Sequence, residues 1–165
     1  MTHQLSRINP RRLATLASLG AVLALAGCTS IGTKLQPPAA SIQQLTLQSD
    51  GTLATIVRFQ NNSYDTGMHV YAIDATLSLN GKPAGHIAMS PSLDIPAMDA
   101  DVAAVTFKPD AAGAAALATA KTNAIAYELK GTLSVAKDSK GKPEPFKLDG
   151  KGFISPVPGV SNIWR

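Results

Sequence analysis

Val70-Tyr71-Ala72-Ile73-Asp74-Ala75-Thr76-Leu77-Ser78-Leu79-Asn80-Gly81 is the stretch that decides the fold class. Tyr71, Ile73, Ala75, Leu77 and Leu79 alternate with Asp74, Thr76 and Ser78. Successive side chains of a strand point to opposite faces, so this pattern predicts a strand with one side against a core. Asn80-Gly81 follows at once, and both residues tolerate the positive φ that a two-residue type I′ turn needs. A hairpin is therefore expected, with Lys82 to Ser90 as the returning strand.

The same period runs outward in both directions. From Ser41 the pattern is two-fold, and in Thr52 to Gln60 the residues Leu53, Thr55, Val57 and Phe59 share one face, with Ile56 as the exception on the other. Pro91 and Pro96 bracket Leu93 and Ile95, which suits a sheet edge or crossover because proline cannot donate to a ladder. Val102 to Phe107 reads as a further strand, and the alanine-rich stretch Asp110 to Thr119 as one short helix with Asp110 placed as N-cap. Asn123 to Ala136 puts Ile125, Tyr127, Leu129, Leu133 and Val135 inward, with Gly131 marking a bulge. Phe146 to Ile154 makes the last strand after a polar loop, Lys137 to Pro145. About seven short strands separated by turn signals, with no internal repeat, predict an all-β antiparallel two-sheet sandwich of immunoglobulin or fibronectin III type.

The 165 residues leave room for one domain once a targeting segment is set aside. That segment is at the start. Arg7, Arg11 and Arg12 precede the apolar run Leu13 to Gly27, which is shorter than the roughly 20 residues a membrane-crossing helix needs. The run closes on Leu25-Ala26-Gly27-Cys28, which resembles the lipobox of bacterial lipoproteins. The resemblance implies removal of residues 1–27 as a signal peptide and a covalent lipid (palmitate among its acyl chains) on Cys28, the cysteine thiolate being the natural nucleophile for that attachment. Several acyl chains hold a protein stably at a membrane where one chain is marginal. Thr29, where an inner-membrane lipoprotein commonly has Asp, implies an outer-membrane lipoprotein with its domain facing the periplasm. Residues 28–40, which include a Pro-Pro pair and show no periodicity, read as a lipidated tether, residues 41–155 as the domain, and 156–165 as a C-terminal tail. Trp164 in that tail either docks on a partner or packs back on its own domain.

Removing Arg7, Arg11 and Arg12 from the 15 basic residues leaves 12 against 11 acids, so the formal charge of the remaining chain is +1. No basic cluster remains, and nucleic acid is excluded as a partner class. Cys28 is the one cysteine, so no disulfide closes within the chain and the core alone must hold the fold.

The run Val57-Arg58-Phe59-Gln60-Asn61-Asn62-Ser63-Tyr64, then Val70-Tyr71 through Leu79-Asn80-Gly81-Lys82-Pro83, and later Tyr127-Glu128-Leu129-Lys130-Gly131-Thr132-Leu133, resembles the late embryogenesis abundant (LEA) type 2 family and its water-stress and hypersensitive-response (WHy) domain. The likeness spans most of residues 42–154. Asn61-Asn62 stands where the family usually has proline between two asparagines. The resemblance implies a fibronectin-like sandwich and a protective role in desiccation or other stress, without catalysis and without a cofactor other than the lipid. On their own chemistry, Asn61 and Asn62 are expected to be turn residues that bond nearby backbone and tolerate left-handed conformations.

No catalytic or metal-ligating constellation is expected. His69 and His86 lack ligand-like spacing to other donors and read as surface or strand-end residues, and Asp94, Asp99 and Asp101 lack the glycine and spacing of a calcium loop. No phosphate loop or nucleophile elbow is present. The alternative to a protective domain is a module that binds an envelope protein, a peptide by strand addition, or a lipid between its sheets.

Overall fold

The computed structural model describes residues 34–165, so the signal peptide and the lipobox Leu25, Ala26, Gly27 and Cys28 lie outside the described residues. Nine strands and one helix follow: β1 (Ala39–Leu47), β2 (Leu53–Gln60), β3 (Met68–Leu79), β4 (Lys82–Met89), β5 (Leu93–Ile95), β6 (Ala100–Phe107), α1 (Ala111–Thr119), β7 (Ile125–Ala136), β8 (Glu144–Ile154) and β9 (Ile163–Trp164). They form two antiparallel sheets. One has the order β6-β2-β1-β9; the other is β4-β3-β7-β8, with β5 paired to β3. The two strands beyond the expected seven are the three-residue β5 and the two-residue β9.

The period-two rows meet between the sheets. Leu53, Val57 and Phe59 of β2 face Ile73, Leu77 and Leu79 of β3 and Ile125, Leu129 and Leu133 of β7 in one apolar core, all of them closed to water. At ~1.5–3 kcal/mol for each large apolar side chain buried, this core is what replaces a disulfide.

Three single-residue bulges bend the sheets, at Gln43 in β1, Tyr71 in β3 and Ala84 in β4. The one in β3 corrects the expected facing. Val70 is inward and Tyr71 is only half-buried, because the extra residue shifts the alternation by one. Gly131 is not a bulge: it pairs in register with Ala75 and Leu148. A Cβ there would strike the Asp74 carbonyl, so glycine serves close strand approach.

Asp110 holds the N-cap position, its carbonyl accepting from the Ala114 amide at 2.9 Å, but its side chain makes no cap bond. The helix lies on β4, with Gly113 close against Ala84. Both assigned ends of the domain also change. Leu35, Pro38 and Ala40, placed in the tether, are buried, and the Gln36 amide donates to Ser63 Oγ at 3.0 Å. The segment placed in a tail folds back as a hairpin in which Ser155 and Arg165 exchange backbone bonds of 2.6 and 2.8 Å, and β9 joins β1.

Candidate functional site

Asn61 follows the last residue of β2 and is wholly buried. Its side-chain amide donates to the carbonyls of Thr66 (2.8 Å), Pro96 (3.0 Å) and Ile95 (3.2 Å), while its Oδ1 accepts from the Ser63 amide at 2.9 Å. Its own backbone N–H donates to the Asp99 carbonyl at 2.9 Å. One side chain thus ties the β2–β3 connection to the β5–β6 connection across the two sheets. A carboxamide suits this because it offers two donors and an acceptor in one plane, and the Pro96 carbonyl it meets also accepts from the Asp99 amide at 3.3 Å. Asn62 beside it is exposed and donates to the Pro37 carbonyl at 2.9 Å, so the two asparagines also hold down the segment entering β1. Neither takes up the positive φ that asparagine tolerates.

Next to this junction, His69 is buried in β3, not on the surface, with Nδ1 2.7 Å from Asp94 Oδ1 and its ring edge-on to Tyr71, centroids 4.5 Å apart. Tyr71 Oη lies within bonding distance of the carbonyls of Ser139 (2.9 Å) and Gly141 (3.1 Å), and so secures the polar loop before β8. His86 is exposed and stands 3.5 Å from Asp74. Asp94, Asp99 and Asp101 do not converge: Asp94 faces His69, whereas Asp99 and Asp101 accept from the next backbone amides, Ala100 and Val102, at 2.7 Å each. Among the described residues no three His, Cys, Asp or Glu side chains are grouped to hold a metal ion.

The opposite end of β3 carries Asn80 and Gly81, whose φ values of 49° and 76° are those of the expected type I′ turn. Asn80 exchanges bonds with Ala126, its N–H donating to the carbonyl (2.8 Å) and its Oδ1 accepting from the amide (3.1 Å), which locks the hairpin tip to β7. Asn61 and Asn80 flank the 12 residues of β3, roughly 40 Å apart along the strand. They are not one site.

A groove of about 730 Å³ opens between the end of α1 and the Pro156–Trp164 hairpin, lined by Leu47, Leu117, Lys121, Val157, Val160 and Trp164. Trp164 is buried and its indole N–H donates to the Ala120 carbonyl at 3.0 Å, so it packs on its own domain. On the outer face of the second sheet, Lys130 lies 2.6 Å and Lys151 3.7 Å from Glu128. The hydrogen bond from Lys130 holds the Glu128 carboxyl below its ordinary range, and the same contact raises the Lys130 ammonium. Asp50, in the β1–β2 turn, is lowered by the Thr52 hydroxyl.

Sequence reasoning found Asn61, Asn62, Asn80 and Gly81 but missed what Asn61 reaches, because Thr66, Ile95 and Pro96 meet it through backbone carbonyls that have no sequence signature. It also missed the His69–Asp94 contact, whose signal was the short β5 itself: a strand bracketed by prolines beside β3 brings Asp94 opposite His69 in register.

The late embryogenesis abundant protein family, LEA_2, matches residues 57–150, more than half of the chain. The chain belongs to that family. No curated protein matches it in sequence. Among solved structures, a protein from Archaeoglobus fulgidus is 8% identical with a TM-score of 0.39, covering 75% of this chain and 100% of its own. A structural genomics target is 11% identical with a TM-score of 0.45, over 77% of this chain and 92% of its own. The solution structure of a protein described as late embryogenesis abundant is 16% identical with a TM-score of 0.38, over 90% of this chain and 88% of its own.

Proposed function

We propose that this chain is a lipid-anchored, non-catalytic LEA type 2 protein of the cell envelope that protects under desiccation or other stress. In this reading residues 1–27 are removed, Cys28 carries the lipid, and the domain stands on the periplasmic side of the outer membrane. The observation that carries it is membership of residues 57–150 in the LEA_2 family, whose members are stress-related and generally not enzymes. The arrangement of the domain is consistent with such a role. Its core is mainly apolar, and the buried Asn61 carboxamide is hydrogen-bonded through both its nitrogen and its oxygen. Cys28 being the one cysteine, such a fold is held without a disulfide within the chain.

The test compares wild type, a deletion and Cys28→Ala for survival of drying, osmotic shock and detergent, alongside the mass of the N-terminal peptide recovered from membranes. Acylation at Cys28 with loss of survival in both mutants supports the reading. Unchanged survival in the deletion overturns the protective role, and an unmodified soluble wild type overturns the anchor.

A second reading, a module that binds an envelope protein, a peptide or a lipid, is favoured by the Trp164 groove. Photo-crosslinkers at Val157 or Val160 that trap one stoichiometric partner would select it over general protection.

A further inference from the structure

The edges of the two sheets are treated very differently. β4 carries Pro83, Gly85 and a bulge at Ala84, and Gly85 lies against the Phe107 ring. β8 carries Pro145, Lys147 and Lys151, and β1 closes over it where Gly150 meets the Ala40 carbonyl. These are the usual ways of blunting an edge. β6 has none of them. It runs eight residues, Ala-Asp-Val-Ala-Ala-Val-Thr-Phe, in unbroken register with β2, without proline, lysine or bulge, and among the described residues no strand pairs with its other side.

Which backbone groups of β6 face outward follows from its hydrogen bonds. The Asp99 carbonyl accepts from the Asn61 amide, so odd-numbered residues turn their backbone groups toward β2 and even-numbered ones away from it. Two of the four outward N–H groups, those of Ala100 and Val102, are taken by the carboxylates of Asp99 and Asp101 at 2.7 Å. Ala104 and Thr106 keep theirs. The strand is therefore guarded at its acidic end and open at the other.

We propose that the open half of β6 pairs antiparallel with β6 of a second copy of this chain. A two-fold axis through Val105 joins Ala104 of one copy to Thr106 of the other, giving four N–H···O=C bonds while leaving both aspartate caps in place. It keeps the inner faces of the two sheets on the same side. Ala103 then falls opposite Phe107, small against large, and Val105 opposite itself, which covers inner-face side chains that are only half-buried in one copy. The strand's own sequence chooses the occupant and its direction. A second β6 laid antiparallel sets Val105 on itself and keeps the Asp99 and Asp101 ends of the two copies apart, whereas a parallel copy sets acid beside acid.

Val105→Cys in the full chain tests the register, because the axis sets this residue against itself and a non-hydrogen-bonded antiparallel pair has the short Cα separation a disulfide accepts. Wild type, with Cys28 alone, and Val102→Cys are run beside it in detergent-extracted membranes under mild oxidation. A reducible dimer formed by Val105→Cys at least about tenfold more than by either control is expected. Adding Thr106→Pro, which removes an outward N–H without touching the β2 ladder, abolishes it. Tryptophan fluorescence of Trp164 confirms that each variant is folded. A Val105→Cys dimer no more abundant than the Val102→Cys dimer, or one that survives Thr106→Pro in folded protein, overturns the proposal.

Discussion

Asn61 and Asn80 are the same residue at the two ends of β3, and the fold uses them for opposite reasons. Asn80 is exposed and is there for its backbone: it accepts a φ of 49° and lets the chain reverse. Asn61 is buried and is there for its side chain, which sets two N–H donors among three carbonyls and accepts from one amide, joining two chain segments. A turn residue costs the fold what its conformation costs. A buried hub costs it every partner left unpaired.

That contrast is broken most sharply by Asn→Asp at each end. Asn61→Asp keeps the acceptor for Ser63 but sets a carboxylate against three carbonyls with no donor, and a loss of about 3 kcal/mol or more is expected in urea unfolding. Asn80→Asp keeps the Oδ1 that Ala126 donates to and tolerates the same φ, so its loss stays below about 1 kcal/mol. Equal losses would dissolve the distinction. Gly81→Ala comes next, at about 1 kcal/mol, because φ is 76° there while nothing crowds the new methyl, so the whole cost is conformational. Thr55→Val runs the hub in reverse. Thr55 Oγ1 is buried with no hydrogen-bond partner, and exchanging it for a methyl is expected to leave stability unchanged or raise it by up to about 1 kcal/mol in the same assay. The smallest effect belongs to Glu128, partly exposed beside Lys130. Its carboxyl is depressed, so the pairing is complete at neutral pH and is lost as acid carries the pH down through the lowered value. Glu128→Gln should flatten that acid limb of a thermal-melt series, and high salt should hide the difference.

Most of the sandwich was legible because β2, β3 and β7 each bury one face, and a half-buried strand writes its period into the residue types. Thr55 was placed inward on that period alone despite its hydroxyl. The failures share a cause: they depend on registers between distant segments. The bulge at Tyr71, the close packing at Gly131 and the strand made by Ile163 and Trp164 are set by a neighbour far away in sequence, and a local pattern carries no trace of it. The reading of Asn61 as a turn residue bonding nearby backbone covers its bonds to Ser63 and Thr66 but not its reach to Ile95 and Pro96, since asparagine before a turn looks alike whether it bends the chain or anchors it.

The junction of β1 with β9 bears on how the chain is made. β1 gains β2 as a neighbour after one short turn, but Leu45 meets Trp164 only across almost the whole domain. As the chain folds from its N-terminal side, β1 therefore keeps a bare edge, and the Ala120 carbonyl goes without its indole donor, until those residues arrive. A domain without the Pro156–Trp164 hairpin would keep a nearly complete sandwich but carry an adhesive flank along β1.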